Sequence, residues 1–261
     1  MATITITLRE TGQSVTATLK VAAPPPKIKD FIVDEEGYIT KVSETNGHNM
    51  YRLHTKANWD KGGKNKFITL NEGKVIEELA ERRNPYKSDT QYWGIKDGVY
   101  ITISNKDDAY KLFKFVCDAS IEAEWGLCFY DKVINGTKKG IYVLGTVNYS
   151  EAAGTFPPPA EYSILDLKIH FHSHPGTAKG KDDVASGAGS SRGDVPMAIH
   201  YVNLFYKKRI KRMPAFVIYR PHAEKPPYKF QYDAWKNFLY GTKMKIQTYH
   251  DLYKNVIPIQ Y

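Results

Sequence analysis

From Asn105 onward, the order in which hydrophobic periodicities succeed one another limits the possible folds more than any other feature of the chain. In "NKDDAYKLFKFVCDASI" the residues Ala109, Leu112, Phe113, Val116 and Cys117 recur at helical spacing, so one face is buried. Asn105 stands where a cap belongs, and Asp107 and Asp108 fall in the first turn. Two apolar strand-like runs follow, "EWGLCFYD" and "GIYVLGTVNY", joined through "KVINGTKKG". Residues 148–163, with Pro157 to Pro159, read as a loop, and "ILDLKIHFHSH" reads as a strand. "DVPMAIHYVNLFYKKR" is then a helix starting after Ser191, "PAFVIYR" a strand and "KFQYDA" another. Helix, three strands, helix, two strands is the order of an α/β layered domain, a mixed sheet flanked by helices.

The text before residue 105 is β-rich. Residues 2–23 alternate Thr with Ile or Val around Glu-Thr-Gly-Gln, which predicts a β-hairpin, and "APPPK" is a stiff extended spacer. "FIVDEEGYITKV" predicts a second hairpin, "TLNEGKVIEELAERR" a short helix, and "YWGIKDGVYITIS" a strand pair. The expected organisation is therefore a lead-in over 1–26, a β-rich region over 27–104, and the α/β domain over 105–261. A chain of 261 residues with 42% hydrophobic content has enough apolar material for such a core.

No run of 18 apolar residues is present, so no transmembrane helix is expected. The start, "MATITITLRETGQ", lacks a basic segment leading into an apolar one and is not read as a signal peptide. Cys117 and Cys128 sit in apolar runs and read as buried thiols of a reducing compartment. The net charge of +9 resides in residues 206–261, where 12 Lys and Arg face 3 Asp and Glu. Its densest part, Lys207, Lys208, Arg209, Lys211 and Arg212, is either a face for an acidic partner or nucleic acid, or the solvated C-terminal end of a helix.

The chemistry concentrates between residues 124 and 194. On a strand, i and i+2 share a face, so His172 and His174 project together as a pair of neutral nitrogen ligands suited to zinc. Pro175 ends the ladder there. A third ligand has to come from elsewhere, and Asp194 at a helix start supplies it. Three protein ligands and an open position are the layout of a catalytic zinc site. Such a site needs a base, and Glu124 lies in an apolar strand beside Trp125, with Glu122 as its competitor. Ser191 offers a hydroxyl to a developing oxyanion, although Ser191-x-x-Asp194 also has the form of a capping box.

Glu124, His172-Ser-His174-Pro175 and Ser191-x-x-Asp194 together resemble the JAMM (MPN+, JAB) metalloprotease motif. "KLFKFVCDASIEAEWGLCFYD", "YVLGT" and "IHFHSHPG" are more narrowly similar to the JAB-like toxin family of bacterial polymorphic toxin effectors. The resemblance implies a layered core of the JAMM and cytidine deaminase type. It implies Zn2+ held by His172, His174 and Asp194, Glu124 as general base, and Ser191 as the serine of the transition state. It also implies a zinc-dependent peptidase or isopeptidase acting on a protein of a target cell, with a cognate immunity protein. Such a toxin is made in the producer's cytoplasm and delivered by a secretion system. His170 has no ligand counterpart in the motif and reads as a supporting or core residue, and Trp125 as a supporting or gating one.

Sixteen residues, Pro175 to Ser190, separate the second histidine from the serine, more than is usual in the family. Asp182 and Asp183 in that loop are alternative third ligands, but neither follows a serine at the motif spacing. The alternative function is a non-catalytic module that binds through its basic C-terminal face. A deaminase would require His-x-Glu and Pro-Cys-x-x-Cys signatures, which the sequence lacks. Nucleic acid is not the expected partner, and the Arg-Gly-Asp within "SRGD" is read as chance.

Overall fold

The computed structural model describes residues 2–7, 11–12, 14–19, 25–88, 96–149, 156–175, 193–210, 212, 214–220, 228–232 and 256–258. The lead-in forms the expected hairpin, β1 (Ala2–Thr7) against β2 (Ser14–Leu19). A three-stranded sheet follows, ordered β4-β3-β5, from β3 (Pro26–Val33), β4 (Ile39–Glu44) and β5 (His48–Thr55). The Asp34–Tyr38 turn between β3 and β4 places Gly37 at φ +81, a conformation that glycine adopts without strain. Asp34 Oδ1 closes the turn by accepting from Tyr38 N at 2.8 Å. Helices α1 (Lys56–Asp60) and α2 (Lys74–Ala80) complete this region. Strand β5 has no counterpart among the expected elements.

The main sheet has eight strands among the described residues, ordered β13-β12-β11-β10-β8-β9-β7-β6. Its members are β6 (Pro85–Ser88), β7 (Lys96–Ile103), β8 (Trp125–Ile134), β9 (Thr137–Thr146), β10 (Leu167–Ser173), β11 (Ala215–Arg220), β12 (Tyr228–Tyr232) and β13 (Val256–Pro258). Only β10 and β11 run parallel, joined by α4 (Asp194–Lys207); the other neighbours are antiparallel. The sheet is thus mixed, as expected, with α3 (Lys106–Ala119) on one face and α4 on the other.

Strand alternation builds both cores. Leu127, Phe171 and Val217 meet Leu112, Phe113 and Val116 of α3. Cys128, Tyr130, Phe216 and Ile218 meet Ala198, Val202 and Phe205 of α4. Burying each large side chain is worth about 2 kcal/mol. The α3 stripe is buried as its spacing predicts, and Asn105 caps the helix by accepting from Asp108 N at 3.0 Å. Cys117 and Cys128 are free and buried on opposite faces of the sheet.

Two expectations change. The linker between the central strands is itself strand: β8 and β9 pair down to Ile134↔Thr137. Asn135 (φ 50) and Gly136 (φ 75) make a two-residue turn of the primed type, whose twist suits a hairpin. The expected strand pair near residue 100 is, within the described residues, the single strand β7, which pairs with β6 and β9. Strands β6 and β7 precede residue 105 yet belong to the main sheet. Phe31, Val33, Leu53, Ile76 and Leu79 also share one core with Val99, Ile101 and Ile103.

Asp30 anchors the small sheet. Its carboxylate, 4% exposed, accepts from Arg52 Nε at 2.6 Å and Nη2 at 2.8 Å and from Ser43 Oγ at 2.5 Å, and lies 3.0 Å from His54 Nε2. Burial alone would raise this carboxyl, but the Arg52, Ser43 and His54 contacts outweigh it and bring the pKa down to about 2. A depressed folded pKa gives stability that is full above the unfolded value, about 4, and lost as pH falls through about 2. Asp30→Asn should therefore cost about 3 kcal/mol at neutral pH in urea unfolding. The gap from the native chain should shrink between pH 4 and pH 2.

Candidate metal centre and catalytic carboxylate

The site forms where β10 ends and α4 begins, outside the carboxyl end of a parallel strand, where α/β sheets leave room for ligands. His174 N donates to Tyr219 O at 2.9 Å, so the chain stays in the ladder one residue past the strand. Alternation then turns His170, His172 and His174 to the α4 side of the sheet. Helix α4 starts at Asp194, where the expected helical stretch begins. Its N-cap is Gly193, at φ 102, with no side-chain capping bond, and this left-handed backbone suits glycine. The capping-box reading of Ser191 and Asp194 is thereby corrected. Asp194 occupies the first helical position, and its carboxylate is turned to the histidines.

His172 Nε2 lies 3.2 Å from His174 Nε2 and 3.0 Å from Asp194 Oδ1, and His174 Nε2 lies 3.4 Å from Asp194 Oδ2. Burial would raise the Asp194 carboxyl, but the two facing imidazoles outweigh it and hold it well below the usual carboxylate range. The group at neutral pH is therefore one carboxylate with two ring nitrogens.

The pairing of β10 with β8 brings up the fourth residue. His170 stands opposite Cys128 and His172 opposite Gly126. Extended one step beyond that last pair, the same register would carry Glu124 opposite His174. Glu124 is 8% exposed. Its N–H donates to Tyr149 O at 2.9 Å, and its carbonyl accepts from Thr146 Oγ1 at 2.7 Å. Trp125 N donates to Ser173 Oγ at 2.9 Å, so the start of β8 is pinned to the end of β10.

Residues 101–199 match the family model described as JAB-like toxin 1. This span is a JAB-like toxin domain. No curated protein and no solved structure matches the chain. The matched span runs from β7 into α4 and contains Glu124, His172, His174 and Asp194.

Within the JAB-like toxin domain the triangle of ligand atoms fits a metal ion. Two ligands about 2.0 Å from a tetrahedral centre stand about 3.3 Å apart, close to the three separations observed. His172, His174 and Asp194 are a group of possible ligands whose donor atoms all lie within 4.8 Å of one another. No single proton can serve a carboxylate oxygen and two ring nitrogens together, whereas a cation can.

The other expected residues divide. His170 is 2% exposed, its ring 5.6 Å from that of His172 and 6.2 Å from that of Phe216. Burial and the neighbouring His172 push its pKa down to about 3, so it is a neutral core residue. Trp125 does not line the site. Its odd position sends the ring to the α3 face, where Nε1 donates to Ser120 Oγ at 3.1 Å. Glu122, the competing carboxylate, is exposed. Ser191, Asp182, Asp183 and Lys211 lie outside the described residues.

Arg212 is engaged within the fold. Its guanidinium donates to Leu167 O at 3.1 Å and Leu165 O at 2.9 Å and stands over the Phe205 ring. Of the basic run, the described Lys207, Lys208 and Arg209 are exposed. Sequence reasoning missed Thr146 and Ser173, which fasten the chain around Glu124. A buried hydroxyl inside an apolar strand was their only signal.

No helix among the described residues is long and apolar enough to cross a membrane.

Proposed function

We propose that the JAB-like toxin domain is a zinc-dependent peptidase or isopeptidase that hydrolyses an amide bond in a protein of a target cell. The observation that supports this reading is the convergence of His172, His174 and Asp194 at 3.0 to 3.4 Å, with Glu124 two residues before Gly126, the strand partner of His172. A bound zinc ion supplies Lewis-acid polarisation of the scissile carbonyl and activation of the attacking water. His172 and His174 hold the ion through neutral nitrogens, and Asp194 brings negative charge. Glu124 takes the proton from the attacking water and returns it to the leaving amine. Ser191, assigned through the family resemblance, donates to the oxyanion. His170 and the apolar α4 face exclude water from behind the histidines.

As a toxin effector, the chain is made in a producer's cytoplasm, delivered through a secretion system and neutralised there by a cognate immunity protein. The test is a proteomic comparison of target cells expressing the native chain or the Glu124→Gln variant. New amide-cleavage products, either fresh N-termini or split isopeptides, are expected with the native chain alone. The same products in both, or none in cells that the native chain kills, would contradict the proposal.

A further inference from the structure

The end of the sheet farthest from the metal centre gathers basic residues from three separate stretches of the chain. Past Tyr130 strand β8 loses its β10 partner, and β9 pairs with β7 only from Tyr142 onward. The β8–β9 hairpin therefore projects beyond its neighbours, carrying Lys138 and Lys139. Helix α4 starts at the site and runs back against the sheet, so Lys207, Lys208 and Arg209 arrive at the same end. Arg212 confirms the placement through its bonds to Leu165 and Leu167 at the start of β10. So does Lys168: burial lowers its ammonium pKa, and the nearby charges of Arg212 and Lys138 lower it further against the pull of Asp131.

Two of the acidic groups here, Asp131 and Asp166, are already used, and Glu161 is exposed beside Lys132. Asp131 faces Lys138 at 3.2 Å and Lys168 at 3.9 Å, and Asp166 accepts from Ser163 N in a capping box. Lys139, Lys207, Lys208 and Arg209 are exposed and make no ion pair among the described residues.

Arg209 adds a second, independent observation. Ile210 N donates to Phe205 O at 3.0 Å and Arg209 N to Tyr206 O at 2.9 Å, which closes α4 in a Schellman motif. The left-handed position of that motif usually holds glycine, but here it holds Arg209 at φ 56. Arg82 occupies the matching position after α2 at φ 49, and there the guanidinium accounts for the choice. It donates to Asn148 Oδ1 at 3.2 Å and Asp97 O at 3.3 Å and covers the Tyr38 ring. Arg209 has no such inward use among the described residues, so its strained backbone holds a charge directed to solvent.

We propose that this basic end, built from the β8–β9 hairpin and the C-terminal turn of α4, docks the acidic surface of a partner protein. A protein fits better than a phosphate backbone because apolar surface is exposed among the cations: Tyr206 is 56% and Val133 65% exposed. The patch lies about 20 Å along β10 from His174 by strand rise, so the partner leaves the metal centre open. The inference does not depend on the proposed hydrolysis.

The test titrates the full chain against labelled polyglutamate and, in parallel, against a DNA duplex of equal net charge. Native protein should bind polyglutamate more tightly than duplex, and more weakly as salt rises. The Lys139→Gln/Arg209→Gly double variant should lose about tenfold in affinity for polyglutamate. Its unfolding temperature should be no lower, because glycine relieves the backbone at 209. Lys61→Gln/Lys66→Gln, an equal charge loss on the other region, should keep native affinity. Equal loss in both double variants, tighter binding to the duplex, or no binding of polyglutamate by the native chain would overturn the proposal.

Discussion

Glu124→Gln is expected to slow amide hydrolysis about a thousandfold, the scale on which a positioned acid or base contributes. The substitution preserves shape. The Glu124 backbone donates to Tyr149 O and accepts from Thr146 Oγ1, bonds that do not involve the carboxyl group and are kept in the variant. Only the capacity to take and return a proton is lost. The metal content should stay native, because the three candidate ligands, at the end of β10 and the start of α4, do not include Glu124. Cleavage products in target cells, counted beside the metal content of the purified variant, check both halves. Full activity in the variant would remove Glu124 from the chemistry. Loss of metal together with activity would make it a ligand instead of a base.

His172→Ala carries the second large effect, on metal affinity and through it on stability. His172 Nε2 is the nitrogen shared between His174 and Asp194, so its removal opens two edges of the triangle at once. A metal that binds only the folded chain stabilises it by about 4 kcal/mol when its concentration is about a thousand times Kd. Chelation should therefore lower the unfolding temperature of the native protein markedly and leave that of His172→Ala unchanged. A chelator that shifts both proteins equally would place the metal elsewhere.

Much of this was legible in the sequence where the determinants are local. The α3 stripe, the Asn105 cap and the alternation of His172 with His174 each follow from spacing within one element. The i, i+2 relation alone placed two candidate ligands on one face. Asp194 was legible as a residue at a helix start, although the cap proved to be Gly193, whose glycine permits the sharp entry. The Asn135-Gly136 turn was also local, and its signal was present but overlooked in favour of a longer linker.

The remainder depends on pairing between distant stretches. Trp125 looked like a neighbour of the site because it follows Glu124. Only the register of β8 on β10 shows that adjacent residues there face opposite cores. Arg212 looked like one more surface cation, but it bonds to carbonyls 45 and 47 residues earlier. The union of Phe31 and Leu53 with Val99 and Ile101 was equally hidden, since no local pattern says which of several apolar faces will meet.

The most direct test of the metal centre is zinc analysis of the native chain combined with X-ray absorption at the zinc edge. One zinc per chain is predicted, surrounded by light nitrogen and oxygen atoms at about 2.0 Å with the outer-shell signature of two imidazoles. Asp194→Asn should lower the occupancy. Sulfur at about 2.3 Å, which would bring in Cys117 or Cys128, or a native chain that takes up no zinc, would contradict the account.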